Sequence, residues 1–182
     1  MYKRQSSSIE LSISATTRPP RPNDIDGQDY FFMTKDKFEE LEKKEAFLES
    51  ANVHGNKYGT LKDYVNSKLD AGINLILDID VQGFEQIKQK DIMNTSVFII
   101  PPSITELKAR LLKRNADTPE VIEARLKNAI AELGGANEYD YKILNENFDM
   151  AADELYNLIM SRGVQNKDAK HISEILEDLL SN

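Results

Sequence analysis

An α/β fold with a mainly parallel sheet is what this sequence predicts, on three observations. The runs NLILDID (Asn74 to Asp80), SVFII (Ser96 to Ile100) and YKILN (Tyr141 to Asn145) are short and nearly continuous in apolar residues, the pattern of strands covered on both faces. The segments around them carry apolar residues at helical spacing, so strands alternate with helices. The first of these runs ends abruptly in acids, as a strand does where it opens into a ligand crevice.

Each element has a local reason. LSIS (Leu11 to Ser14) reads as a short strand, and Thr16 to Gly27 as a loop punctuated by Pro19, Pro20, Pro22 and Gly27. YFFMT (Tyr30 to Thr34) is rich in aromatics and suits a strand, with Thr34 placed to cap a helix through Lys43 that carries Phe38 and Leu41. Such short aromatic strands early in the chain suggest an inserted substructure. Leu61, Tyr64, Val65 and Leu69 recur at helical spacing after Thr60, and Gly72 stands where a helix end wants a residue tolerant of positive φ. Pro101 and Pro102 stop the SVFII strand, and Ser103 caps the next helix. There Leu107 and Leu111 face inward, while Arg110 and Arg114, four apart, share another face. Ala151 to Met160 is amphipathic, and a polar connector from Gly163 to Lys170 leads to a last helix with Ile172, Ile175, Leu176 and Leu179.

At 182 residues with 40% hydrophobic content, the chain suits one domain with a real core. It has no cysteine, which excludes disulfides and thiolate metal sites and suits a reducing cytoplasm. No apolar stretch reaches the roughly 20 residues of a membrane-spanning helix. A formal net charge of -8 argues against nucleic-acid binding, so an anionic ligand must be met by a local cluster of arginines. His54 and His171 have no partner pattern for a metal or a nucleophile and read as structural or exposed.

The order SISATTRPPRP, DGQDYFF, FLE (Phe47 to Glu49), NKYGT (Asn56 to Thr60), LDIDVQG (Leu77 to Gly83), PPS with R-x-x-x-R (Pro101 to Arg114), and EYDYKILN resembles the guanylate kinase family from about Leu11 to at least Ala152. The resemblance implies a P-loop NTPase-like parallel core in one domain over residues 1–182. A small mixed α+β GMP-binding region is inserted at about 17–72, and a helical lid lies at about 110–135. By the same resemblance Arg18, Arg21, Tyr30 and Tyr58 form the phosphate clamp for GMP, consistent with two guanidinium forks on a proline-stiffened loop meeting a dianion. Glu49 is the carboxylate that accepts both N1–H and the exocyclic amine of guanine, with Ser14 and Thr60 also bonding the base.

Asp78 is assigned to Mg²⁺, through water, and Asp80 to GMP; Arg110, Arg114 and Arg125 to the lid that closes over the donor phosphates; and Asn145 to the adenine side of ATP. Plainer readings stand beside these: solvated loop arginines, core tyrosines, a solvent-facing strand-end acid at Glu49, an acid pair marking a strand's exit, and helix-surface ion pairs. The lid departs from the family pattern at Asn115, where a glycine is usual.

The family's glycine-rich loop G-x-x-x-x-G-K-S/T has no counterpart, since no glycine here precedes a lysine. MYKRQSSSIE reads as the tail of the family's first helix, which implies a core without the first strand, the P-loop and most of that helix. Phosphoryl transfer by this chain alone is then expected to be impaired, and unpaired sheet edges are expected to invite self-association or a complementing chain. The alternatives are a non-catalytic GMP- or phosphopeptide-binding module and one half of a split enzyme.

Overall fold

The computed structural model describes residues 9–53, 55–90, 92, 94–113, 119–161 and 169–181. They form an α/β fold in two compact units, Met1–Met93 and Asn94–Asn182.

The first unit holds two sheets. β1 (Ile9–Leu11) pairs in parallel with β6 (Asn74–Ile76), with Leu11 opposite Ile76. Four further strands, β2 (Ala15–Thr16), β3 (Phe31–Phe32), β4 (Phe47–Val53) and β5 (Asn56–Leu61), lie in the order β3-β2-β5-β4. β2 runs parallel to β3, and β5 is antiparallel to both of its neighbours. A register shift between Phe47 and Glu49 brings Glu49 opposite Thr60.

Helices α1 (Lys35–Lys43), α2 (Lys62–Asp70) and α3 (Val81–Lys88) pack around these strands. Thr34 caps α1 as its sequence position predicts, its hydroxyl accepting from Lys37 N at 3.3 Å. After α2 the chain turns at Gly72 with φ 75°, a conformation that a Cβ would penalise. Ala15, Phe38 and Phe47 are buried together, and the rings of Phe38 and Phe47 stack at 4.4 Å. A second cluster joins Leu48, Val65 and Ile87, tying β4, α2 and α3 into one layer.

The second unit is built on a parallel pair, β7 (Val97–Ile100) and β8 (Tyr141–Leu144). At its start Asp140 Oδ2 accepts from both the backbone N and the hydroxyl of Ser96, each at 2.8 Å, which locks the register. Around it lie α4 (Ile104–Lys113), α5 (Pro119–Leu133), α6 (Phe148–Ser161) and α7 (Ala169–Leu180). Ser103 caps α4 through Glu106 N, and Pro119 opens α5 where its missing N–H is no loss. Ile100, Leu133, Ala136, Ile172, Leu176 and Leu179 form the core. Among the described residues no helix is long and apolar enough to cross a membrane.

Three elements differ from the sequence reading. LSIS is not one strand; Ser12 continues from β1 by donating its N–H to Ile76 O, and a new strand begins at Ala15. The run from Asn74 to Asp80 is strand only to Ile76, because Asp80 already serves as the cap of α3. The hairpin of β4 and β5, unread as strands, is the longest pairing in the first unit.

Candidate functional site

The loop that leaves β2 carries Arg18, whose backbone N donates to Thr16 Oγ1 at 3.1 Å. Its guanidinium donates to Asp24 Oδ2 at 2.8 Å and to Pro19 O at 2.9 Å. The same guanidinium lies 5.3 Å from the Tyr30 ring centre and 5.6 Å from that of Phe32, within cation–π range. Tyr58 on β5 meets Tyr30 edge-on at 6.0 Å. Arg18, Tyr30 and Tyr58 are thus one cluster.

Burial works to lower the Arg18 pKa, but the hydrogen bond and charge of Asp24, with Tyr58 and Tyr30, outweigh it and the net direction is upward. Asp24 is held below the usual carboxylate value, first by the backbone N–H of Arg21 and then by Arg18. Arg21 is exposed, and its guanidinium has no hydrogen-bond or ion-pair partner among the described residues. The loop's other acids also fold inward on its backbone: Asp26 accepts from Phe32 N at 2.9 Å and Asp29 from Ile25 N at 2.8 Å.

On the hairpin, Thr60 donates its hydroxyl to Glu49 Oε1 at 2.5 Å. Thr60 is fully buried and Glu49 only 4% exposed, which rules out the plainer reading of Glu49 as a solvent-facing acid. Burial pushes the Glu49 carboxyl above its usual value; the Thr60 bond opposes this and the charge of Asp80 adds to it. Asp80 lies close to Glu49 by way of Gly83, which donates its N–H to Asp80 and backs onto Glu49 Oε2. Asp80 is also the N-cap of α3, its Oδ1 accepting from Gly83 N at 2.9 Å while Oδ2 accepts from Gln82 at 3.0 Å. Ser14 is half-buried beside β2, its carbonyl accepting from Phe31 N and its hydroxyl without a partner among the described residues.

Asp78 is exposed, and its carboxylate has no partner among the described residues. No group of three or more metal-ligating side chains occurs among them either. One uncommitted carboxylate fits Mg²⁺, which keeps several waters and takes much of its coordination from substrate phosphates, better than it fits a cation needing a full protein cage.

In the second unit Arg110 donates through Nε to Glu106 at 2.8 Å and through Nη1 to the carbonyl of Asn145 at 2.9 Å. The structure therefore joins two predicted residues, one on α4 and one at the exit of β8. Arg125 is half-buried on α5, which packs against α4. Arg114 and His54 lie outside the described residues.

Two residues with clear parts in this geometry were not singled out from the sequence. Asp24 stands three residues after Arg21 in a proline-rich loop, where an acid readily accepts from the backbone behind it. Gly83 is a glycine inside a helical run, a position that signals a close approach, and a Cβ built there would lie 2.7 Å from Glu49 Oε2. A cavity of about 440 Å³ borders β4 and is lined by Glu49 together with Glu42, Phe47, Lys62, Gln86 and Lys90 among others. It does not include the Arg18 cluster.

The family model described as guanylate kinase matches residues 1–162. Guanylate kinases of Escherichia coli O157:H7 and of strain K12 are each 45% identical over 175 residues, spanning 93% of this chain and 84% of theirs. The crystal structure of guanylate kinase from Anaplasma phagocytophilum superimposes with a TM-score of 0.72 at 31% identity, covering 94% of this chain and 85% of that one. With a match over most of its length and relatives at this level of identity, the chain belongs to the guanylate kinase family.

Proposed function

We propose that this protein acts as a guanylate kinase, passing the γ-phosphoryl group of ATP to GMP, and that the first unit is its GMP-binding side. The observation that carries this reading is the buried carboxylate of Glu49, fixed by Thr60 with Asp80 nearby. A buried acceptor of this kind suits the paired N–H donors of guanine, and adenine would leave it unmet. Arg18 and Arg21, with the hydroxyls of Tyr30 and Tyr58, would grip the GMP phosphate, and Ser14 would add a bond to the base.

In the reaction an oxygen of the GMP phosphate bonds to the γ-phosphorus of ATP as the bond from that phosphorus to the ADP oxygen breaks. The protein's contribution is to align the acceptor and to stabilise charge on the transferring group. Arg110, Arg114 and Arg125 are proposed for that second task, in a lid at about 110–135, and Asn145 for the adenine side. Mg²⁺, when bound, neutralises charge on the ATP phosphates, and Asp78 is the residue proposed to hold it through water.

Within these 182 residues no Gly-Lys pair supplies a P-loop. We therefore propose that turnover by this chain is slow, since losing backbone donors of this type costs on the order of 10²- to 10³-fold each. The whole chain is read as one guanylate kinase-like domain with its GMP region at about 17–72.

The test is titration calorimetry of the purified chain with GMP and AMP, paired with chromatographic detection of GDP from ATP, Mg²⁺ and GMP, with Arg18→Ala as control. GMP binding that exceeds AMP binding and is lost in the control supports the acceptor site. Equal binding of both nucleotides overturns it. GDP formed at about 1 s⁻¹ or faster would overturn the expectation of slow turnover.

A further inference from the structure

Helix α3 presents Gly83 and Gln86, three apart, on one face, and Lys90 follows two residues past the end of the helix. All three meet β4 within one residue of Glu49. The Gln86 amide donates to Ser50 O at 2.7 Å and accepts from Ser50 N at 3.0 Å, pairing with that residue as a neighbouring strand would. Lys90 Nζ donates to Leu48 O. β4 is an edge strand of its sheet, so these side chains hold its outer margin on both sides of Glu49.

Between the two ties, Gly83 backs onto the carboxylate itself. A Cβ built there would stand 2.7 Å from Glu49 Oε2, 3.2 Å from Glu49 Cδ and 3.2 Å from Ile79 Cβ. Gly83 is itself anchored, because its N–H donates to the Asp80 cap at 2.9 Å. With α3 anchored and β4 tied at Leu48 and Ser50, the part free to give way is the far end of the Glu49 side chain.

We propose that this face of α3 determines base specificity: Gly83 sets the position of the Glu49 carboxylate by having no side chain, and Gln86 and Lys90 keep β4 from receding. The proposal rests on Glu49 reading guanine. It adds positioning residues that touch no nucleotide. A methyl group at position 83 would then move the carboxylate, and the loss would fall on the ligand that uses both of its oxygens.

The experiment is titration calorimetry with GMP and with IMP, which carries the same ribose and phosphate but lacks the exocyclic amine. Gly83→Ala is expected to weaken GMP binding about tenfold and IMP binding less, narrowing the GMP/IMP ratio. Glu49→Asp draws the carboxylate back by one methylene, so the double variant Gly83→Ala, Glu49→Asp is expected to bind GMP no more weakly than Glu49→Asp alone. Losses that multiply, or an unchanged GMP/IMP ratio in Gly83→Ala, would overturn the proposal.

Should Gly83→Ala not fold, Gln86→Leu tests the same face by releasing Ser50, and it too must narrow the ratio. If it leaves the ratio unchanged, the proposal fails. Wild-type protein that binds GMP no better than IMP would instead defeat the reading of Glu49 on which the proposal stands.

Discussion

Asp24 joins the two arginines of its loop through one atom: Oδ2 accepts from the Arg18 guanidinium and from the Arg21 backbone N–H, each at 2.8 Å. Arg18 is thereby aimed by an acid and backed by the rings of Tyr30 and Phe32.

Replacing Asp24 with Asn should loosen that arrangement, lowering GMP affinity severalfold and the melting temperature near neutral pH. The stability effect has a definite pH sign. Asp24 is depressed in the folded state, so its contribution is present above the ordinary value of 3.8 and is lost as pH falls through the lower folded value. Melting curves of wild type and Asp24→Asn from about pH 7 to pH 3 should converge at the acid end. Curves that stay equally separated would show that the charge is not responsible.

Glu49 has the opposite sign. Burial raises its pKa above 4.5, despite the Thr60 bond and with help from Asp80, so the protonated form suits the fold. Its favourable contribution is full below 4.5 and is lost as pH rises through the raised value. Glu49→Gln should therefore gain denaturant resistance relative to wild type as pH rises above 4.5 and through the raised value, while its GMP affinity falls about 100-fold. A variant as pH-sensitive as wild type would contradict this account of the carboxyl.

Thr60→Val keeps the shape of a fully buried side chain and removes the donor to Glu49. Leaving a buried acceptor unmet costs about 1–3 kcal/mol, and Thr60→Ser should recover most of it. Urea unfolding of the three proteins makes the comparison, and equal midpoints for Val and Ser would remove the hydrogen bond from the explanation.

Phe38→Ala empties the centre of the cluster under α1, where the ring is fully buried and stacked on Phe47. The expected loss is about 3–5 kcal/mol by denaturant titration. A loss below about 1 kcal/mol would mean that the site collapses around the gap.

Much of this was legible in the sequence because a local cause suffices at each place. Thr34 caps α1, Ser103 caps α4, and the apolar runs at Val97–Ile100 and Tyr141–Leu144 pair as strands. The hairpin of β4 and β5 was hidden for physical reasons. Its alternation is broken by the shift between Phe47 and Glu49, polar Ser50 and Glu49 sit on covered strand positions, and Gly59 interrupts β5. The burial of Glu49 was illegible because it depends on α3, some thirty residues later in the chain, whose own start is marked by a residue first read as part of a strand. For Arg18 and Tyr30 the motif supplied the association, whereas the stacking that joins them follows from the parallel pairing of β2 with β3.

The amide of Gln86 laid along β4 has a consequence beyond the nucleotide. A sheet margin with open N–H and C=O groups is a template on which another chain can add itself. At Ser50 both groups are already taken, and at Leu48 the carbonyl is taken by Lys90. An incoming strand would have to evict an amide and an ammonium group to gain bonds that the molecule already makes with itself. On this margin, the side chains that steady the fold are also a barrier to aggregation.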